Sequence, residues 1–231
     1  HEMEKVIREN EESFALLKER ACHYISASPA SSRDMVEHFG IAPEDITTVP
    51  AFIRIIDPEG SRLNELRSEA RTELGIPEDA FVVAGCGTVY WRKGPDIFLD
   101  CAKAICAEQG DVHFVWIGPG PDLDATIDSI PEELKERIHF VGGKDHASQL
   151  LACADLFFLS SREDPFPLVV MEAAQHAVPS LCFDEATGIT DFILDDAGYT
   201  VPSINTDDAI TALRVITSDR EDVVTRGRVA R

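Results

Sequence analysis

From residue 80 onward, short apolar runs take turns with longer stretches in which apolar positions recur every three or four residues. The runs at 80–85, 113–117, 138–141, 155–159 and 180–183 are apolar at consecutive positions, which predicts strands covered on both faces. Between and after them, helical spacing marks 94–107, 131–136, 145–152, 167–175 and 207–217. Strands alternating with helices build βαβ units, so the expected fold class is α/β, a parallel sheet with helices on both faces. Upstream, residues 1–20 predict a charged amphipathic helix, 22–28 a strand running into a loop, 29–39 a helix stopped by Gly40, and 46–49 a short strand. Residues 51–60 predict a crossing with Asp57, Pro58, Glu59 and Gly60 as its turn, followed by a helix over 62–74 that Gly75 closes. Residues 223–231 resemble an unfinished helix, and no internal repeat or low-complexity segment interrupts the order.

One stretch organises the rest. The apolar run ending at Leu159 meets the polar residues Ser160 to Asp164, and the chain then becomes helical at Pro167. Proline suits the first helical position because its missing N–H costs nothing there. The first amides of such a helix point toward the carboxyl end of the strand, where parallel α/β sheets bind ligands and where orphan amides attract phosphate. Inside that helix Glu172 is the one charge among Leu168, Val169, Val170, Met171, Ala173 and Ala174. An acid in so apolar a setting needs a partner, because desolvating it costs several kcal/mol or more. Two readings follow: an internal ion pair with Arg162, or a carboxylate that accepts hydrogen bonds from ligand hydroxyls. Asp164, eight residues earlier, gives the second reading another carboxylate for the same pocket.

Charge and composition narrow the partners. The formal net charge of −21 weighs against nucleic acid or an anionic membrane as the partner of this chain. No run approaches the eighteen apolar residues of a membrane span, and the first residues hold no signal-peptide core. The chain starts without an initiator Met, and the expectation is a piece of a longer protein. Cys22, Cys86, Cys101, Cys106, Cys153 and Cys182 show no C-x-x-C pair and no His at metal spacing, which predicts mostly buried free thiols in a reducing cytoplasm. His23, His113, His139 and His176 sit in or beside apolar elements and are read as packed histidines.

In so acidic a chain, the adjacent cations Arg92 and Lys93 after a buried strand mark either a local site for a diphosphate or a solvated surface pair. Gly85 and Gly87 also invite a dinucleotide reading, but Tyr90 stands where the third glycine belongs and no acid closes a second strand about twenty residues on. Gly118, Pro119 and Gly120 form a tight turn. Asp122 and Asp124 imitate a D-x-D metal motif, yet after that turn they are read as caps for the next helix, and no metal is expected.

Asp164-Pro165-Phe166-Pro167-Leu168-Val169-Val170-Met171-Glu172 resembles the acid-x7-Glu motif of retaining GT-B glycosyltransferases of the group 1 (GT4), glycogen-synthase-like class. The loop from Gly85 to Gly94 is similar to that family's basic phosphate loop, residues 40–50 to a phrase that closes its N-terminal domain, and Phe140 to Gly143 to a loop whose backbone reads the base. The resemblance implies a Rossmann-like, nucleotide-sugar-binding domain over 56–231, truncated at its C-terminus, and a remnant of the acceptor-binding domain and hinge over 1–55. It assigns Asp164 to the donor sugar, Glu172 to the ribose hydroxyls and Lys93 to the diphosphate, with Arg92 as a second cation. Gly87, Thr88, Gly118, Val141, Gly142, Pro167, Leu168 and Val169 line the donor by the same token. Asp164 stands where Glu is commoner, Pro167 where Gly is common, and Thr88 where many members carry Arg. Gly188, Ile189 and Thr190 match a segment near the donor, and Asp191 there receives no role.

The function implied is transfer of a sugar, hexosyl in type, from a nucleoside-diphosphate sugar to an acceptor hydroxyl with retention. It needs no metal or other cofactor, and the acceptor glycan or lipid-linked sugar is held by the missing N-terminal domain. The location implied is the cytoplasm, peripheral to a membrane in the full-length protein, in polysaccharide biosynthesis, and the fragment alone is expected to transfer little. A non-catalytic nucleotide-sugar-binding module, a nucleotide-sugar epimerase of the same fold and a nicotinamide oxidoreductase are the alternatives.

Overall fold

The computed structural model describes residues 10–57, 59–190 and 192–231, with backbone alone for Glu11, Ser13, Leu194 and Asp195. The chain divides into two compact units, one ending at Ala51 and one beginning at Phe52. In the first unit, α1 (Glu11–Arg20) precedes β1 (Tyr24–Ser26), α2 (Pro29–Glu37) and β2 (Ile46–Thr48). β1 and β2 pair in parallel with Tyr24 opposite Ile46. Ser28 starts α2 by accepting a hydrogen bond from the Ser31 amide at 3.1 Å, ahead of Pro29 at the first helical position. Residues 1–9, which the expected first helix included, lie outside the described residues.

The second unit opens with a turn in which the Gly60 amide donates to Asp57 O at 3.2 Å. It continues through α3 (Leu63–Leu74), β3 (Phe81–Cys86), α4 (Pro95–Glu108), β4 (Val112–Ile117), α5 (Leu123–Asp128), β5 (Ile138–Phe140), α6 (Ala147–Leu150), β6 (Leu156–Leu159), α7 (Leu168–Ala174), β7 (Ser180–Phe183), α8 (Leu194–Ala197), β8 (Gly198–Val201), α9 (Thr206–Ser218) and α10 (Arg220–Ala230). The strands lie in the order β5-β4-β3-β6-β7-β8, every pair parallel. The chain builds outward from β3 in one direction and from β6 in the other. The order therefore reverses between those two strands, the place where open parallel sheets bind ligands beyond their carboxyl ends.

Successive residues along each strand feed opposite faces. Phe114, Trp116 and Phe158 join Phe98 of α4 in one core, where Phe98 meets Trp116 edge to face with centroids 5.1 Å apart. Val115, Ile117 and Phe157 join Leu66 of α3 and Val170 of α7 in the other. Two-sided burial is why these strands read as continuous apolar runs.

Three expectations are corrected. Residues 131–136 hold one 3-10 turn, Glu132–Leu134, and the helix lies earlier, at α5. Leu123 and Ile127, four apart, pack against the core, whereas the later segment buries Leu134 alone and so has no face to fold upon. The helix expected at 145–152 is the single turn α6 followed by a 3-10 turn, Leu151–Cys153. The strand β8 was not foreseen at all, because Gly-Tyr-Thr-Val is short and only its ends are buried.

Candidate functional site

The ladder between β3 and β6 joins Val83 to Leu156 and Ala84 to Phe157, short of the end of either strand. Past those rungs the loop after β3 (residues 87–94) and the loop after β6 (160–167) face each other. They come together at Gly94, whose φ is +67° and where an added Cβ would stand 2.0 Å from Ser160 O. No L side chain fits there, so glycine is a requirement of the close approach.

The Lys93 ammonium pairs with the Asp164 carboxylate, which is 7% exposed, and Ser161 Oγ donates to the same carboxylate at 3.4 Å. Arg92 donates from Nη1 to Glu163 O at 2.8 Å and from Nε to the Tyr90 hydroxyl. Asp164 is also tied through its backbone: its amide donates to Ala186 O at 2.7 Å and its strand-like bridge partner is Thr187. The 186–188 segment, given no part in the sequence argument beyond Gly188, thus lies beside the acid. Asp191 lies outside the described residues.

Glu172 is half-buried on α7, and among the described residues no donor reaches its carboxylate. Burial alone raises its pKa. Pairing with Arg162 is contradicted, because that guanidinium forks onto Asp96 at 2.8 and 2.5 Å. Burial pushes the Cys86 thiol at the end of β3 up to about 11; the Glu172 charge adds to the rise and the Lys93 charge opposes it.

Pro167 precedes α7 and is buried, while Leu168 and Val169 supply its first two amides, for which a helix offers no acceptor of its own. Across the crevice the loops after β3, β4 and β5 are laced together. The Gly87 amide donates to Ile117 O at 3.0 Å, Gly118 to Gly142 O at 2.9 Å, and Val141 to Trp116 O at 3.0 Å. An added Cβ on Gly118, at φ +152°, would stand 2.0 Å from Gly87 O. Thr88 is exposed at the tip of its loop.

Asp122 occupies the position before α5, but its side chain makes no capping bond; its carbonyl takes the Thr126 amide instead, at 2.9 Å. Of the four histidines read as packed, His23 is instead exposed and bonds Thr47 Oγ1 at 2.7 Å. His113 and His139 stack with ring centroids 5.8 Å apart; burial lowers both pKa values, that of His113 to about 4. His176 Nε2 donates to Ser148 O at 2.8 Å. Cys22 is exposed, whereas Cys101, Cys106, Cys153 and Cys182 are buried.

A parallel sheet whose strand order reverses beside a basic loop has the architecture in which open α/β folds bind ligands. Residues 80–219 match the family described as glycosyl transferases group 1, and the chain belongs to that family. It is 30% identical over 174 residues to the alpha-galactosylglucosyldiacylglycerol synthase of Streptococcus pneumoniae, a match that covers 70% of this chain and 44% of that protein. It is 26% identical over 212 residues to the D-inositol 3-phosphate glycosyltransferase of Corynebacterium aurimucosum, covering 86% of this chain and 49% of the relative. Among solved structures, Anabaena HepE in complex with UDP superposes with a TM-score of 0.78 at 22% identity, covering 94% of this chain and 60% of that one. The fold is that of GT-B glycosyltransferases, and the chain spans less than half the length of the curated relatives named here. Among the described residues no helix is long and apolar enough to cross a membrane.

Proposed function

We propose that this chain is the donor-binding part of a glycosyltransferase that moves a hexosyl group from a nucleoside-diphosphate sugar to an acceptor hydroxyl with retention. The observation that carries the reading is Glu172, a half-buried carboxylate that no donor reaches among the described residues, beside the strand end that also feels Lys93. Its partial loss of water has no compensating bond among the described residues. Two ribose hydroxyls would supply the donors it lacks.

In the reaction, the bond from the anomeric carbon to the diphosphate breaks, a bond from that carbon to the acceptor oxygen forms, and the acceptor's proton leaves with the diphosphate, on which negative charge develops as the bond breaks. Lys93 and the amides of Leu168 and Val169 stabilise that charge without a metal, because donors fixed in advance need no reorganisation. Asp164 holds Lys93 in place and meets the sugar. The acceptor, a glycan or lipid-linked sugar, belongs to the domain that residues 1–55 close, and the location consistent with this role is the cytoplasmic side of a membrane. The Anabaena neighbour was solved with UDP, which makes UDP the first probe for this chain.

Calorimetric titration with UDP, GDP, ADP and NAD tests the reading. One nucleoside diphosphate should bind, and Glu172→Ala and Lys93→Ala should each weaken it by about 1–3 kcal/mol, the range for a lost charged hydrogen bond. A preference for NAD, or affinity that neither substitution changes, contradicts it.

A further inference from the structure

We propose that Arg162 is a positioning residue for donor binding, acting through Lys93; the proposal rests on the donor site described above. Its guanidinium Nη1 donates to Trp91 O at 2.7 Å and to Asp96 Oδ1 at 2.8 Å, and Nη2 donates to Asp96 Oδ2 at 2.5 Å. The same guanidinium lies over the Trp91 ring, 5.2 Å from its centroid, and the Arg162 amide donates to Arg92 O at 2.8 Å. One residue of the β6 loop therefore holds the turn Trp91–Lys93 at its first residue, its second residue and the first turn of α4 beyond it.

That grip falls where the sheet itself provides none. The β3–β6 ladder ends at Ala84 and Phe157, and the strands carry the facing loops beyond it. The position of the Lys93 ammonium relative to α7 then depends on bonds between loops. Ser160 Oγ donates to Lys93 O at 3.2 Å and Asp164 takes the ammonium, but both contacts involve Lys93 itself. Arg162 fixes the turn from outside, at the residue before Arg92 and the residue two after Gly94. A planar fork meets a carboxylate and a carbonyl at set angles, which an ammonium cannot do. Asp96 answers in kind: the Arg162 hydrogen bonds hold its carboxyl below the usual carboxylate range.

The consequence is separable from general stability. Loosening the fork lets the Lys93 turn drift from the diphosphate, so the loss should vanish once Lys93 has no ammonium to position. Titrating UDP into the native chain, Arg162→Lys, Lys93→Ala and the double variant forms a double-mutant cycle, with thermal unfolding of each alongside. Arg162→Lys keeps the charge and loses the fork; it should weaken UDP about tenfold in the native background and by less than about twofold with Lys93→Ala. Asp96→Asn, which breaks the same fork from its other side, should repeat the pattern. Equal losses in both backgrounds, or no loss in either, overturn the role of Arg162 and leave the donor site standing. A native chain that binds none of the nucleoside diphosphates overturns the donor site and this role with it.

Discussion

Glu172 stands on α7 among Val169, Val170, Met171, Ala173 and Ala174, where it loses part of its water and gains no donor among the described residues, so its pKa rises through burial alone. The folded state therefore holds the proton to a higher pH than the unfolded chain does. Stability attributable to this group falls as pH rises from the unfolded pKa through the folded one. Glu172→Gln should consequently raise the unfolding temperature at pH 7 by about 1–2 °C, a small gain because water still screens the group, and should change nothing near pH 4. The same substitution should weaken nucleotide binding. Thermal scans at both pH values check the sign, and a lower unfolding temperature at pH 7 would mean that the carboxylate has a partner. Glu172 was legible in the sequence because a lone charge in an apolar helix is conspicuous. The partner of Arg162 was not, because Asp96 lies 66 residues away and its helix looked like any solvent-facing start.

At the scale of elements, the two strands that present the site are tied together at their opposite, starting ends by a buried cation that no motif advertises. Arg71 of α3 is fully buried; burial lowers its pKa, and its guanidinium serves five acceptors. Nε donates to Cys153 O at 3.0 Å, Nη1 to Pro77, Glu78 and Ala80 carbonyls at 3.1, 2.6 and 3.0 Å, and Nη2 to Asp155 Oδ2 at 2.9 Å. Asp155 Oδ2 also accepts the Val82 amide at 2.8 Å. One side chain thus joins the starts of β3 and β6 to α3. Arg71→Ala would leave four carbonyls without their donor, while Asp155 keeps Arg67 Nη2 at 2.6 Å and the Val82 amide, and should cost about 1–3 kcal/mol in urea unfolding. A loss under about 1 kcal/mol would show that water can take the place of the guanidinium. Nothing in the sequence sets Arg71 apart from the other charges of residues 62–74. Strands buried on both faces were legible as unbroken apolar runs, whereas β8 and α5 were not, since each is short and buries only part of itself.

For the whole molecule, the alternation of strands and helices carried the fold, and the sheet order with its reversal between β3 and β6 adds what periodicity alone does not contain: which two loops meet. The acid-x7-Glu and basic-loop phrases lie about seventy residues apart in the chain, and the parallel sheet brings Lys93 onto Asp164. A donor nucleotide should sit in the crevice so formed. A crystal structure of the chain with bound UDP tests it most directly. Ribose hydroxyls should donate to the Glu172 carboxylate, with phosphate oxygens between Lys93 and the first amides of α7. A nucleotide seated instead in the depression of about 1000 Å³ beside β8, against Tyr199, Asp222 and Arg226, with Glu172 untouched, would contradict it.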